Sequence, residues 1–124
     1  MTNSLQGRYA LITGGGSGIG KAIASRFVKE GAHVLICGRT ASTLEATANE
    51  INSLFCEVDV SNSDSIKDLA DFIIKEGWGN LDILVNNAGI FKNNSVETCT
   101  EEEWDYVIGT NLKGTYLMSN AFIP

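Results

Sequence analysis

Residues 13–20, with the sequence TGGGSGIG, are the part of this chain whose residue types and spacing best suit a chemical task. They follow the apolar run YALI and lead into apolar residues at helical spacing. A strand that turns through glycines into a helix leaves the first N–H groups of that helix aimed at one point, at the positive end of its dipole. Glycine lets the backbone approach an anion with no Cβ in the way. The pattern therefore predicts a phosphate-binding turn, and hence a nucleotide site.

The spacing of the glycines distinguishes between classes of nucleotide-binding protein. The dinucleotide pattern G-x-G-x-x-G fits no register of residues 14–23. The P-loop pattern nearly fits at residues 15–21, but Ala22 stands where a hydroxyl must hold magnesium, and residues 81–85 run into Asn86 rather than an aspartate. A P-loop NTPase is therefore disfavoured. The pattern that does fit is T-G-x-x-x-G-x-G.

Length and charge restrict the class of protein. The chain has 124 residues, of which 44% are hydrophobic, and this predicts one small domain over residues 1–124. A net charge of -6 without a long basic run argues against a nucleic acid or an anionic membrane as partner. The polar first residues and the lack of a long apolar stretch predict neither signal peptide nor anchor, and so a cytoplasmic location.

The cysteines and the single histidine do not predict a metal site. Cys37, Cys56 and Cys99 form no C-x-x-C pair, and His33 lies at no zinc-ligand spacing from them. We interpret Cys37 and Cys56 as small apolar residues of strands, and His33 as structural or solvated.

Apolar runs and helical patterns alternate along the chain. Strands are predicted at 9–13, 33–38, 54–59 and 81–86, and helices at 41–52, at 62–77 and from Thr100 onward. Thr40, the pair Ser61 and Asp64, and Thr100 are the predicted helix starts. Continuous alternation predicts an α/β fold with a doubly wound, Rossmann-type parallel sheet in the order 3-2-1-4. We expect that sheet to be truncated before later strands.

Four segments together resemble one family. Residues 13–20 match its T-G-x-x-x-G-x-G loop, and residues 86–89 match its N-N-A-G segment. Asp59 and Val60 match the position that contacts the adenine ring, and Asn111 matches the helix asparagine of its catalytic tetrad. The chain is similar to the N-terminal half of the short-chain dehydrogenases/reductases, NAD(P)-dependent oxidoreductases with a one-domain Rossmann fold. The resemblance covers essentially the whole chain.

The resemblance implies a set of cofactor-binding residues, and the fold implies that they share one edge. Loops after parallel strands meet at the carboxyl edge of the sheet, where open α/β folds bind ligands. Taken alone, residues 86–89 are also consistent with an ordinary Asn/Gly turn, and Asp59 with an acid that ends a strand. The implied cofactor-binding residues are Gly14, Gly16, Ser17, Gly18, Ile19, Gly20, Arg39, Thr40, Asp59, Val60, Asn87, Ala88 and Gly89.

Arg39 favours NADP(H) over NAD(H) as the cofactor. A site for NAD usually has an acid at the end of the second strand, whereas a 2′-phosphate needs a cation there. Arg39 also disfavours an S-adenosylmethionine-dependent methyltransferase, which would need a ribose-binding acid at this place. Ser17 stands where many NADP-dependent family members have a second basic residue, and a solvated arginine is the alternative interpretation.

Asn111 is predicted to face the core. The helix from Thr100 carries Trp104, Val107, Ile108 and Asn111 on one face. The resemblance implies that Asn111 and a local break in the helix hold a water linked to the catalytic lysine. A core amide satisfied by backbone is the alternative.

The chemistry implied by the resemblance requires residues that this chain lacks. The family transfers hydride between nicotinamide and an alcohol or carbonyl substrate, using a serine and a Tyr-x-x-x-Lys pair. Tyr9, Tyr106 and Tyr116 are followed four residues later by threonine, threonine and asparagine. We therefore expect the cofactor half of a homo-oligomeric oxidoreductase, inactive by itself. A stand-alone dinucleotide-binding module and an inactive structural fragment are the alternatives.

Overall fold

The computed structural model describes residues 4–88 and 99–122, in which parallel strands alternate with helices. The strands are β1 (Tyr9–Thr13), β2 (His33–Gly38), β3 (Leu54–Glu57) and β4 (Ile83–Val85). The helices are α1 (Gly18–Lys29), α2 (Ala41–Ile51), α3 (Ser63–Lys75), α4 (Glu101–Ile108) and α5 (Gly114–Phe122), with a π-helical segment (Gly109–Lys113) between the last two. None of the helices in the described ranges combines the length and hydropathy that a membrane span needs.

The sheet has the order β3-β2-β1-β4 with every pairing parallel, which confirms the predicted order and fold class. β1 lies between β2 and β4, so its residues are buried on both faces of the sheet. Because successive side chains of a strand point to opposite faces, β1 contributes to two separate cores. Leu11 packs with Leu69 of α3 and Met118 of α5, whereas Ile12 packs with Ala24 of α1 on the other face.

The outer strands are shorter than predicted. β3 ends at Glu57, because Val58 and Val60 leave the sheet and are buried in the core with α3 and α5. β4 begins at Ile83 rather than at residue 81. Asp82 precedes it and holds the start of β1: its carboxylate accepts a hydrogen bond from the Tyr9 backbone N–H at 2.8 Å.

The N-cap of α3 corrects one prediction. Asn62, not Ser61, caps the helix, and its side-chain oxygen accepts from the backbone N–H groups of Asp64 and Ser65. Ser61 instead donates its hydroxyl to the carboxylate of Asp59 at 2.6 Å. Two adjacent residues thus have different roles: Asn62 caps α3, and Ser61 makes a hydrogen bond to Asp59.

The other two predicted caps differ from each other. Thr100 caps α4, and its hydroxyl accepts from the backbone N–H of Glu103 at 3.0 Å. Thr40 occupies the N-cap position of α2, but its side chain makes no capping hydrogen bond.

The prediction that Trp104 and Asn111 face the core is wrong. Trp104 is 60% exposed, and Asn111 is exposed as well. The residues between α4 and α5 are π-helical, so a phase extrapolated at 3.6 residues per turn does not hold across them. Thr110, Gly114 and Met118 are the buried residues of this stretch.

Candidate cofactor site

The glycine loop joins β1 to α1 with two residues at positive φ, Gly14 at 65° and Gly18 at 56°. Ser17 stands at the N-cap of α1 with an extended backbone, and its side chain makes no capping hydrogen bond. The first turn of α1 contains no acidic residue. The positive end of the α1 dipole therefore remains available to an anion, as the sequence predicts.

Gly20 lies where the glycine loop approaches the segment after β4. A Cβ added at Gly20 would lie 2.5 Å from the side-chain nitrogen of Asn87. That nitrogen donates to the backbone oxygen of Gly14 at 3.2 Å. Glycine is thus required here for close packing of two loops, and the two loops border the same edge of the sheet.

Thr13 holds these two loops together, a role that the sequence analysis did not assign to it. Its hydroxyl accepts from the backbone N–H groups of Asn87 and Ala88, at 2.8 and 2.7 Å, and donates to the oxygen of Val85. Thr13 is 1% exposed, so these hydrogen bonds form out of water. The threonine at the end of a strand before a glycine loop was the available signal.

Thr47 of α2 supports the glycine loop from its other side and was also missed. Its buried hydroxyl donates to the oxygen of Gly16 at 2.7 Å. No periodicity argument distinguishes this threonine from other residues on the inner face of α2.

A cavity of about 320 Å³ opens at the carboxyl edge of the strands. The predicted residues that line it are Gly14, Gly16, Ser17, Arg39, Thr40, Val60 and Ala88. The lining residues that were not predicted are Gly38, Thr43, Leu44, Val58 and Thr110. Most of the latter adjoin a predicted residue in the sequence or lie one helical turn from one.

The remaining predicted residues lie near the cavity without lining it, or elsewhere. Gly18, Ile19 and Gly20 begin α1, where the Ile19 side chain is 73% exposed. Asp59 and Asn87 contact lining residues. Gly89 lies outside the described residues.

Arg39 extends from the end of β2 over the end of β3. Its Nη2 atom lies 3.1 Å from Oδ1 of Asp59 and 2.5 Å from the hydroxyl oxygen of Thr110. Its guanidinium carbon lies 4.6 Å from the centre of the Tyr106 ring. Arg39 is thus not the solvated arginine of the alternative interpretation, because three side chains contact it.

Asp59 is held as a carboxylate. Partial burial by itself would raise the pKa of Asp59, but the hydrogen bonds from the Ser61 hydroxyl and backbone, with the charge and hydrogen bond of Arg39, bring that pKa below its usual value. The ion pair with Arg39 has side chains that are 29% and 45% exposed. Asp59 therefore presents a negative charge at the end of β3.

Asn111 lies in the π-helical segment, next to the cavity residue Thr110. Its backbone oxygen accepts the hydroxyl of Thr115 at 3.1 Å. The predicted local break in this helix is present, since π-helical bonding replaces the α-helical pattern here.

The donor set suits an anionic nucleotide better than a metal ion. Uncapped helix N–H groups, glycine backbone and a guanidinium recognise phosphate, and the apolar residues Leu44, Val58 and Val60 suit a base. In the described part of the chain, no group of three or more His, Cys, Asp or Glu side chains is placed to hold a metal ion.

Known proteins share this sequence pattern and fold. The family model described as short chain dehydrogenase matches residues 8–124. A 3-oxoacyl-acyl-carrier-protein reductase FabG of Thermotoga maritima is 37% identical over 97% of this chain and 50% of its own length. An NADP-dependent (R)-specific alcohol dehydrogenase of Lentilactobacillus kefiri is 42% identical over 94% of this chain and 47% of its own length.

A solved structure gives the same result. The 3-ketoacyl-(acyl-carrier-protein) reductase from Brucella melitensis, complexed with NADH, superposes with a TM-score of 0.92 at 41% identity. The superposition covers 98% of this chain and 51% of that one. This chain therefore spans about half the length of the relatives that it matches. On its sequence, its strand order and its glycine loop, the chain belongs to the short chain dehydrogenase family.

Proposed function

We propose that residues 1–124 form a domain that binds NAD(P) along the carboxyl edge of the sheet, as the cofactor half of an oxidoreductase. The observation that carries this proposal is the single cavity onto which the glycine loop, the end of β2, the end of β3 and the segment after β4 all open. The parent protein transfers hydride between nicotinamide and an alcohol or carbonyl substrate. The named activities of the reductase and alcohol dehydrogenase relatives support this class.

Each part of the edge has a task in this proposal. The glycine loop and the start of α1 bind the pyrophosphate, with Gly14 to Gly20 as the approach surface. Asp59 and Val60 contact the adenine. Asn87 and Ala88 continue the site toward the nicotinamide, and the resemblance adds Gly89 to the cofactor-binding residues. Asn111 belongs to the catalytic group of the parent, positioned by the π-helical segment.

We further propose that the site prefers NADP(H). Arg39 is the cation at the end of β2, where a 2′-phosphate requires one. One relative is named NADP-dependent, and another was solved with NADH. Because the relatives differ, the proposed preference rests on Arg39 of this chain alone. The test is a fluorescence titration of the chain with NADPH and with NADH.

The Arg39→Asp variant makes that titration specific. It replaces a charge-assisted contact by repulsion, so the affinity for NADPH should fall by about tenfold or more, whereas the affinity for NADH should not fall. Lys67→Asp on the exposed face of α3 makes the same change in net charge and serves as the control. Equal affinity of the unmodified chain for both cofactors would contradict the preference.

The proposal also implies that these 124 residues do not turn over substrate. The sequence offers no Tyr-x-x-x-Lys pair, so bound cofactor has no positioned acid to move the alcohol proton. We expect no consumption of NADPH with a panel of carbonyl compounds. Consumption of NADPH above a buffer blank, in preparations of the chain that are free of contaminating enzymes, would overturn this expectation.

We propose that the parent is a homo-oligomer. Trp104, Leu112 and Tyr116 are each at least 60% exposed along the last helical stretch, and together they are called the exposed row here. An exposed apolar row of this kind supports association through this helix.

A further inference from the structure

The guanidinium of Arg39, the proposed partner of a 2′-phosphate, contacts Thr110 and Asp59 in this structure. Arg39 and Thr110 line the same cavity and come from different elements, the end of β2 and the π-helical segment. The short distance between them, 2.5 Å from Nη2 to the hydroxyl oxygen, means that the arginine side chain bridges the cavity at its β3 end. Val58 and Val60, which flank Asp59 in the sequence, supply apolar lining to the same cavity.

Three different contacts hold this position. Thr110 accepts a hydrogen bond from the guanidinium, Asp59 forms an ion pair with it at 3.1 Å, and the Tyr106 ring lies under it at 4.6 Å. Thr110 is 4% exposed, so its hydroxyl is shielded from competing water. A hydrogen bond to a charged group strengthens when water is excluded, and the contact with the more exposed Tyr106 ring adds a smaller attraction.

We propose that Arg39 is a displaceable plug of the adenosine pocket, and that Thr110 and Tyr106 hold it in place. The inference rests on the proposed function, since it concerns the same cofactor site. An adenosine group that enters the β3 end must move the guanidinium away from Thr110 and Tyr106. Every adenosine ligand therefore loses the free energy of those contacts when it binds.

A 2′-phosphate offsets this loss and a 2′-hydroxyl does not. The displaced guanidinium of Arg39 gains a charge-assisted contact with phosphate, whereas with an unphosphorylated ribose it gains only solvent. Arg39 therefore acts with opposite signs on the two ligand classes. A residue that merely binds the 2′-phosphate would leave the affinity for the unphosphorylated ligand unchanged.

The test uses 5′-AMP and 2′,5′-ADP as probes, with isothermal titration calorimetry on the 124-residue chain. Arg39→Ala removes the plug and the phosphate ligand together, so it should tighten 5′-AMP binding by about threefold to tenfold and weaken 2′,5′-ADP binding by about tenfold. Thr110→Val and Tyr106→Leu weaken the plug but leave Arg39 in place. Each should tighten both probes by the same factor, about threefold.

Matched controls separate this effect from general changes in the last helix. Thr115→Val and Tyr116→Leu make the same replacements at other positions of the last helical stretch and should change neither affinity. The Thr115 hydroxyl donates to the backbone oxygen of Asn111, and Tyr116 is exposed. Circular dichroism checks that each variant is folded. Since Thr110 and Tyr106 contact Arg39 through different atoms, either variant tests the proposal if the other does not fold.

The outcomes distinguish the two levels of the hypothesis. If 5′-AMP binds Arg39→Ala no more tightly than the unmodified chain, the plug is refuted while the cofactor site stands. If neither probe binds the unmodified chain or any variant, the proposed function itself is refuted. If Thr110→Val tightens only one probe, the shared cost that defines the plug is refuted.

Discussion

The carboxylate of Asp59 is where the individual side chains of the site converge. A single oxygen of this group accepts from the Ser61 hydroxyl and backbone and from the guanidinium of Arg39. These donors favour the charged form and lower the pKa of Asp59, although partial burial opposes them. A group whose pKa is lower in the folded protein stabilises the fold above its unfolded pKa and loses this contribution as the pH falls through the folded value.

Asp59→Asn should therefore destabilise the chain at neutral pH and not in acid. We expect a loss of less than about 1 kcal/mol at pH 7, because the pair with Arg39 is partly exposed. The difference between the variant and the unmodified chain should shrink as the pH falls below the usual carboxyl value of 3.8. Urea unfolding at several pH values measures it, with Asp71→Asn on the exposed face of α3 as the control. A difference that grows in acid would contradict the assigned role.

The three cysteines differ in environment and so should differ in reactivity. Burial, with a smaller effect of Cys56, raises the pKa of Cys37 to about 12. Burial, then the charges of Asp68 and Glu57, raises the pKa of the half-buried Cys56. Because the thiolate is the reactive form, Cys99 should be alkylated first, Cys56 more slowly, and Cys37 only on unfolding. Mass spectrometry of iodoacetamide-treated protein measures the order, and Cys99→Ser should remove the fast phase alone. Equal alkylation rates for all three cysteines would contradict the assigned differences in burial.

At the scale of elements, α2 and α3 offer a comparison between two N-caps. Asn62 bonds two backbone N–H groups of α3, whereas the Thr40 side chain caps nothing in α2. Asn62→Ala should therefore cost about 1 kcal/mol of unfolding free energy, and Thr40→Ala only a few tenths. Thermal or urea unfolding of both variants measures the difference. Equal costs would mean that cap hydrogen bonds do not set the stability of these helices.

At the scale of the whole molecule, two apolar surfaces should drive association of the 124-residue chain. β4 is a three-residue strand at one edge of the described sheet, with half-buried apolar side chains. The exposed row on the last helical stretch adds Leu112, which is 66% exposed. We expect light scattering to show dimers or larger species, since uncovered edges and apolar rows favour pairing with another chain.

One substitution on the last helical stretch and one control substitution on α3 test this expectation. Leu112→Glu should reduce association, whereas Ile74→Glu, at an equally exposed apolar position on α3, should not. A compact monomer with a cooperative melt would contradict the expectation. It would favour the alternative of a self-sufficient dinucleotide-binding module.

The sequence by itself determined the strand order, the fold class and most of the residues that line the candidate cavity. Periodicity and turn residues are local properties, and right-handed crossovers convert them into one sheet topology. The glycine loop, Arg39 and Ala88 border one cavity because carboxyl ends of parallel strands meet at one edge. The bounds of β1 and β2 match for the same reason, since both strands are buried on two faces and read as continuous apolar runs.

Only the tertiary structure decided which side chains meet across that edge. Asn111 is exposed because the π-helical segment in which it lies shifts the helical phase, and such a shift has no clear periodic signature. Trp104 lies before that segment, in α4, which has no buried residue. Thr110 contacts Arg39 although 71 residues separate them in the sequence. Such contacts depend on how helices pack on the sheet, to within a fraction of a helical turn. Local patterns predict which elements form and where they lie, but the direction of each side chain is set by packing between elements.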